Sequence, residues 1–183
     1  GVGKTTTARI IAKALNCIGD GSKEDPSFEI CNNCSPCKSI NNANFLDVIE
    51  VDAASRTGVD GIREIIDSVI YSPNNARYKV YIIDEVHMLS NAAFNALLKT
   101  LEEPPQNVKF IFATTEIKKI PATIISRCQK FDLQRVDLKT LSNHLKNICQ
   151  NESISYENES ISYICKASEG SVRDALSLSL IHI

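Results

Sequence analysis

The stretch Lys79-Val80-Tyr81-Ile82-Ile83-Asp84-Glu85 constrains this chain more than any other. Apolar residues follow one another from Val80 to Ile83 and end in two adjacent carboxylates. A strand with one face in water alternates apolar and polar residues, whereas a run apolar throughout belongs to a strand covered on both faces. Strands of that kind sit in mainly parallel sheets between layers of helices, so the rest of the chain must supply helices for two sides.

The periodicity supplies them. Ala8, Ile11, Ala12 and Leu15 recur at helical spacing directly after Gly3. Ile62, Ile65, Ile66, Val69 and Ile70 predict a helix that starts near Asp60 and closes before Pro73. Phe94, Leu97, Leu98 and Leu101 predict another, with Ser90 as its N-cap and Pro104-Pro105 as its stop. Short β-rich segments lie between: Phe45 to Val51, Lys79 to Asp84, Phe110 to Thr114, and Lys130 to Leu133 as an expected fourth strand. Residues 18–44 are polar, rich in Asn and Cys, and punctuated by Gly19, Gly21 and Pro26, which reads as an insertion into the periodic core. From Val136 the strands give way to helices marked by Leu138, Leu141, Leu145 and Ile148, then by Ile161, Ile164 and Cys165 up to Gly170, then by Val172 to Leu180. The expected organisation is an α/β core over residues 1–135, with the insertion within about 17–44, followed by an incomplete helical domain over 136–183.

Composition narrows the functional classes. Hydrophobic residues make up 43% and charged residues 23% of the chain, which suits a soluble globular protein. The net charge is −2, so any contact with nucleic acid has to be local rather than the work of an overall basic field. No apolar run approaches the roughly 20 residues that span a bilayer, so no membrane role is expected. There are seven cysteines and no evident secretory signal, which argues for a reducing compartment and against a disulfide framework. The glycosylation sequons at Asn151 and Asn158 therefore read as chance.

Three short motifs carry chemistry. Gly1-Val2-Gly3-Lys4-Thr5, with Thr6 behind it, runs straight into the first helix. Small residues there let backbone N–H groups curl around phosphates, a lysine reaches the β/γ-phosphates, and a threonine hydroxyl can ligand Mg²⁺. A glycine-rich turn that merely caps a helix is the plainer alternative, and the full phosphate-loop pattern has a further glycine upstream of Gly1, so the first residue reads as a truncation point. At the end of the apolar strand, Asp84 can hold the metal's water shell and Glu85 can polarise an attacking water. A solvated acidic strand end is the alternative there. Thr114-Thr115 ends the next strand, where a hydroxyl could hold that water, and Ser126-Arg127-Cys128 follows, where Arg127 could neutralise transition-state charge or simply form a surface salt bridge. Cys17 closes the first helix, and Cys31-x-x-Cys34-x-x-Cys37 follows within the insertion; four thiolates at this spacing can reach one tetrahedral Zn²⁺, although one C-x-x-C alone could be a redox pair. Cys128, Cys149 and Cys165 lie near apolar segments and read as small core residues. His87 and His144 have no evident ligand set, and His87 reads as structural.

The order Gly-Lys-Thr, Asp-Glu, Thr-Thr, Ser-Arg-Cys and Gly170-Ser171-Val172-Arg173-Asp174-Ala175 resembles an AAA+ ATPase of the clamp-loader clade. Glu50 to Arg56, Asp84 to Leu89 and Ala96 to Pro105 resemble the bacterial DNA polymerase III gamma/tau family within it, and the similarity runs from Gly1 to about Leu178. The resemblance implies an AAA+ P-loop core with its parallel sheet between helices, a zinc-binding insertion and the start of a small helical lid. It implies ATP, Mg²⁺ and Zn²⁺ as ligands, with Gly1, Val2, Gly3, Lys4, Thr5, Thr6, Asp84 and Arg173 at the nucleotide, Thr5 and Asp84 at magnesium, and Cys17, Cys31, Cys34 and Cys37 at zinc. Lys4, Glu85 and Thr115 would serve catalysis in the chain's own site, Thr115 as sensor 1 and Arg173 as sensor 2, and Arg127 would reach the ATP of a neighbouring subunit. Other clamp-loader subunits of delta and delta-prime type, the sliding clamp, primer-template DNA and the polymerase core are the implied partners, in the bacterial cytoplasm near the nucleoid. Another AAA+ DNA-remodelling ATPase and a non-hydrolysing scaffold subunit are the competing readings. Arg56 is a candidate phosphate contact or a plain surface arginine, and Ser179 to Ile183 does not resemble the family's continuation.

Overall fold

Three parallel strands, β1 (Val48–Asp52), β2 (Lys79–Asp84) and β3 (Val108–Phe112), form one sheet with β2 in the middle. The computed structural model describes residues 3–21, 25–55 and 59–181, which fall into a unit of Lys4–Lys130 and a second unit that takes in residues 131–181. In the first, α1 (Lys4–Asn16) and α2 (Ser35–Asn41) precede β1, α3 (Val59–Val69) joins β1 to β2, α4 (Asn91–Glu102) joins β2 to β3, and the short α5 (Ala122–Ile125) follows.

The unbroken apolar run of β2 is explained by its two coverings. Successive side chains of a strand point to opposite faces. Tyr81 and Ile83 enter a core with Ile62, Ile65 and Val69 of α3 and Ala93, Phe94 and Leu97 of α4. Val80 and Ile82 pack on the other side against Ala8 and Ala12 of α1, whose small side chains let that helix lie close to the sheet. The side chains of Val80, Tyr81, Ile82 and Ile83 are all fully buried. Ser90 caps α4 as its sequence predicts, its side chain accepting from the Ala93 N–H at 3.2 Å.

Two elements differ from expectation. The insertion contains α2, which starts with a proline in its first turn and buries Pro36, Cys37 and Ile40. Lys130 to Leu133 is not a strand: it has no ladder partner among the described residues, and Phe131 and Leu133 are exposed. Its alternating pattern suits a strand, but alternation alone does not supply the neighbouring edge that a ladder needs. β2 keeps its expected bounds, while those of β1 and β3 shift by one to three residues. β1 starts at Val48 because Asp47 turns inward, buried, and accepts the N–H groups of Asn74 and Asn75 at 2.9 Å each.

The second unit packs α6 (Leu138–Asn151), α7 (Asn158–Ala167) and α8 (Val172–Ile181) around Leu141, Leu145, Cys149, Ile161, Ile164, Cys165 and Ala175. Asp137 caps α6 by accepting from the Thr140 N–H at 2.9 Å and its hydroxyl at 2.6 Å. Gly170 has φ +78°, and a Cβ there would lie 2.6 Å from the Val136 carbonyl oxygen, so both conformation and space demand glycine.

Candidate active site and cysteine cluster

The start of α1 and the end of β2 meet. Gly3, at φ +75°, turns the chain into α1, and the next two side chains reach the strand end. Lys4 Nζ donates to Glu85 Oε1 at 2.9 Å, and the Thr5 hydroxyl donates to Asp84 Oδ2 at 2.6 Å. Thr6 is exposed beside them. From the end of β3, Thr115 donates to Glu85 Oε2 through its backbone N–H at 3.2 Å and its hydroxyl at 3.0 Å. One cation, two carboxylates and two hydroxyls therefore converge at a helix N-terminus, which adds its own partial positive charge.

Glu85 is held in an unusual backbone. Its φ of 46° and ψ of 44° are left-handed, a conformation that costs a residue with a Cβ about 1–2 kcal/mol. The turn lifts the side chain off the strand axis toward Lys4 and Thr115, and the Glu85 N–H donates to Asp84 Oδ1 at 2.9 Å. Burial pushes the Glu85 carboxyl up, but the Lys4 ammonium and the Thr115 bonds outweigh it and hold the group below its ordinary value. Nothing in the sequence flags this backbone.

His87, expected to be structural only, borders the same carboxylate. Its Nδ1 lies 3.0 Å from Thr114 Oγ1 and 3.3 Å from Glu85 Oε2, and its Nε2 lies 3.5 Å from Glu116 Oε1. The side chain is 7% exposed, and the two adjacent threonines divide their contacts, Thr114 bonding to the imidazole and Thr115 to Glu85. The only sequence signal was its place two residues after the carboxylate pair.

Arg127 follows α5, and its guanidinium is engaged within its own unit. It donates to Glu102 Oε1 at 2.6 Å and to the Thr123 carbonyl at 2.7 Å. Arg173 is exposed in the first turn of α8. Gly1, Val2 and Arg56 lie outside the described residues.

The cysteine cluster forms at the other end of α1. The Sγ atoms of Cys17, Cys31, Cys34 and Cys37 all lie within 4.8 Å of one another, with Cys17 and Cys31 at 3.6 Å. A tetrahedron with zinc–sulfur arms of about 2.3 Å has edges of about 3.8 Å, so four thiolates at these separations fit one Zn²⁺ and leave no open position. Backbone N–H groups already point at the sulfurs, from Cys31 to Cys17 at 3.5 Å and from Cys34 to Cys31 at 3.3 Å. Hydrogen bonds from the Cys34 and Asn33 backbones bring the Cys31 thiol down to about 6, the direction that favours a thiolate ligand. Burial pushes the Cys37 thiol up, and its hydrogen bonds with Cys34 and Cys17 add to the rise.

A parallel sheet between helices, with a lysine-bearing helix start facing a strand that ends in two carboxylates, is the AAA+ P-loop fold. The Holliday junction branch migration motor RuvB of Thermotoga maritima shares it, with a TM-score of 0.62 at 20% identity over 97% of this chain and 49% of that one. Residues 1–137 match the family model described as DNA polymerase III, delta subunit, and residues 140–179 match the DNA polymerase III clamp loader subunit, ATPase lid domain. DNA polymerase III subunit tau/gamma of Haemophilus influenzae is 52% identical over 98% of this chain and 25% of its own length. DNA polymerase III subunit tau of Bacillus subtilis is 53% identical over 97% of this chain and 31% of its own. The chain belongs to the DNA polymerase III gamma/tau family of clamp-loader subunits. It spans about a quarter to a third of the length of these two relatives. Among the described residues no helix is long and apolar enough to cross a membrane.

Proposed function

We propose that this chain is the nucleotide-hydrolysing part of a clamp-loader motor, which couples ATP hydrolysis to placing a ring-shaped sliding clamp on primed DNA. The observation that carries the reading is the single network joining Lys4, Thr5, Asp84, Glu85 and Thr115 through contacts of 2.6–3.2 Å. Its donor set suits a magnesium-bound triphosphate: a lysine for phosphate oxygens, and a hydroxyl and a carboxylate for the metal. Bound Mg²⁺ would supply charge neutralisation on the phosphate oxygens.

The residues divide the work. Phosphate draws Lys4 away from Glu85 Oε1, and that oxygen then faces the attacking water while Thr115 keeps hold of Oε2. Glu85 takes the water's proton as the new bond to the γ-phosphorus forms and the bond to the β-phosphate bridge breaks, leaving ADP and phosphate. Thr6 and Gly1 to Gly3 would serve the phosphates, Thr5 and Asp84 would hold the metal, and Arg173 and a neighbouring subunit's copy of Arg127 would bring further positive charge. In this reading residues 1–135 are the nucleotide-binding core and 136–183 belong to the lid, a division supported by the lid-model match from residue 140. Delta-type and delta-prime-type subunits, the clamp, primer-template DNA and the polymerase core are the partners this family membership suggests, in the bacterial cytoplasm.

Separating binding from turnover tests the reading. In the full-length protein, Lys4→Ala is expected to lose nucleotide binding, measured with a fluorescent ATP analogue. Glu85→Gln is expected to bind normally and lose about 10²–10⁴ in phosphate release with clamp and primed DNA present, because only the proton acceptor is gone. Equal loss of binding in both variants would overturn these roles.

A further inference from the structure

The end of α1 is fastened to the residues that lead into β2, and one of those fastenings touches the cysteine cluster. Asn16, buried at 1% exposure, holds Tyr78 as a neighbouring strand would: its Nδ2 donates to the Tyr78 carbonyl at 3.0 Å, and the Tyr78 N–H donates to its Oδ1 at 2.9 Å. The next residue, Cys17, keeps the helical pattern through its own N–H, bonded to the Lys13 carbonyl at 2.7 Å. The Cys17 carbonyl is one of the acceptors that a helix end leaves over, and Arg77 Nη2 donates to it.

The remaining face of that guanidinium poses a problem. Arg77 Nη1 is buried and has no hydrogen-bond partner among the described residues. A guanidinium stays charged in a protein, and a buried donor left without a partner is destabilising, the more so when it is charged. Compensation has to come from the surroundings. A zinc ion held by four thiolates carries a net charge of −2, and Arg77 grips the backbone of one of the four proposed ligands.

We propose that Arg77 is a positioning residue of the zinc centre: it fixes Cys17 through its carbonyl and sets a permanent positive charge beside the metal–thiolate group. This rests on the reading of the cysteine cluster as a zinc site. Arg77 lies far from the cysteines in sequence and resembles no ligand, so ligand spacing does not reveal it. Removal of such outer partners typically costs about 10–100-fold in metal affinity.

The test is a cycle run on the full-length, zinc-loaded protein and on the same protein stripped with a chelator. The unfolding midpoint is measured for wild type, Arg77→Gln, which keeps a donor but no charge, and Arg77→Lys, which keeps the charge but not the fork. Zinc affinity is measured in parallel by competition with a chromogenic chelator. Zinc is expected to raise the midpoint most in wild type, less in Arg77→Lys and least in Arg77→Gln, with affinity about 10–100-fold weaker in the last. A merely structural arginine would lower both forms equally, so equal zinc-induced shifts and equal affinities across the three proteins overturn the assignment. If Arg77→Gln does not fold, Arg77→Lys against wild type decides on the same criterion. A wild-type protein that holds no zinc would instead overturn the metal reading beneath it.

Discussion

Thr115 sets two donors on one oxygen of Glu85, its N–H at 3.2 Å and its hydroxyl at 3.0 Å, while Lys4 holds the other oxygen at 2.9 Å. The carboxylate is thus oriented from one side independently of the cation that phosphate would draw away. Thr115→Val keeps the N–H and removes the hydroxyl. Loss of one hydrogen bond to a charged group is worth about 1.5–3 kcal/mol, so turnover is expected to fall roughly 10- to 100-fold with nucleotide affinity unchanged. Steady-state phosphate release and equilibrium nucleotide binding on the same preparation check it.

The same contacts predict how the ligand-free protein responds to acid. Folding lowers the Glu85 carboxyl below its ordinary value of 4.5, because Lys4 and Thr115 outweigh the opposing effect of burial. A carboxyl depressed on folding stabilises the native state fully above its unfolded value, and that contribution disappears as pH falls through the folded value. Denaturant midpoints measured from pH 7 downward are therefore expected to show a constant contribution from Glu85 until the carboxylate range. Below it the wild type should lose stability faster than Glu85→Gln, and parallel profiles would mean that the Lys4–Glu85 pair does not form in solution.

Arg127 offers a test of assembly. Glu102 and the Thr123 carbonyl hold its guanidinium within its own unit, so a neighbour's phosphate would have to win it from Glu102. Arg127→Ala is expected to leave nucleotide binding by the isolated subunit unchanged and to cut DNA-stimulated hydrolysis in the assembled complex by about 10³ or more. In mixed assemblies the mutant's own site should work beside a wild-type neighbour while the adjoining site fails. Loss confined to the mutant's own site would place the arginine's action in cis.

Gly170 should tolerate no side chain. Its φ of +78° alone would accept Asn reasonably well, but any Cβ would meet the Val136 carbonyl oxygen at 2.6 Å, and that oxygen is backbone and cannot swing aside. Gly170→Ala and Gly170→Asn are both expected to destabilise the helical unit by about 1–3 kcal/mol. Thermal unfolding of the two variants checks this, and a benign Asn variant would show that only the dihedral matters.

Legibility in the sequence followed how local each signal was. β2 could be read because four side chains on two faces are buried alike, and α4 because Ser90 and the proline pair punctuate it. α2 was hidden because only Pro36, Cys37 and Ile40 of its seven residues are buried, too few to set a period. Phe131 and Leu133 misled because alternation reports which faces a strand would have and says nothing about whether an edge is there to pair with. At the site, Lys4, Thr5, Asp84, Glu85 and Thr115 were identifiable from motif order, and the structure brings them together. The left-handed turn at Glu85, the imidazole of His87 against it and the guanidinium of Arg77 on Cys17 depend on chain segments far apart in sequence or on backbone dihedrals, which residue patterns do not encode.

α1 and β2 run in opposite directions and are joined at both ends, by Thr5 to Asp84 at one and Asn16 to Tyr78 at the other. They behave as a pair of matched rulers. From Thr5 to Asn16 the helix covers about 17 Å at about 1.5 Å per residue, and from Tyr78 to Asp84 the strand covers about 20 Å at about 3.3 Å per residue. A single inserted residue breaks the match in either one: it turns the helix by about 100°, or moves every later strand side chain to the opposite face. Only a compound change, two residues in the strand with about four in the helix, restores both length and facing. The spacing between the lysine-threonine pair and the first cysteine is therefore locked to the spacing between the arginine and the carboxylates, and neither can drift unless the other drifts with it.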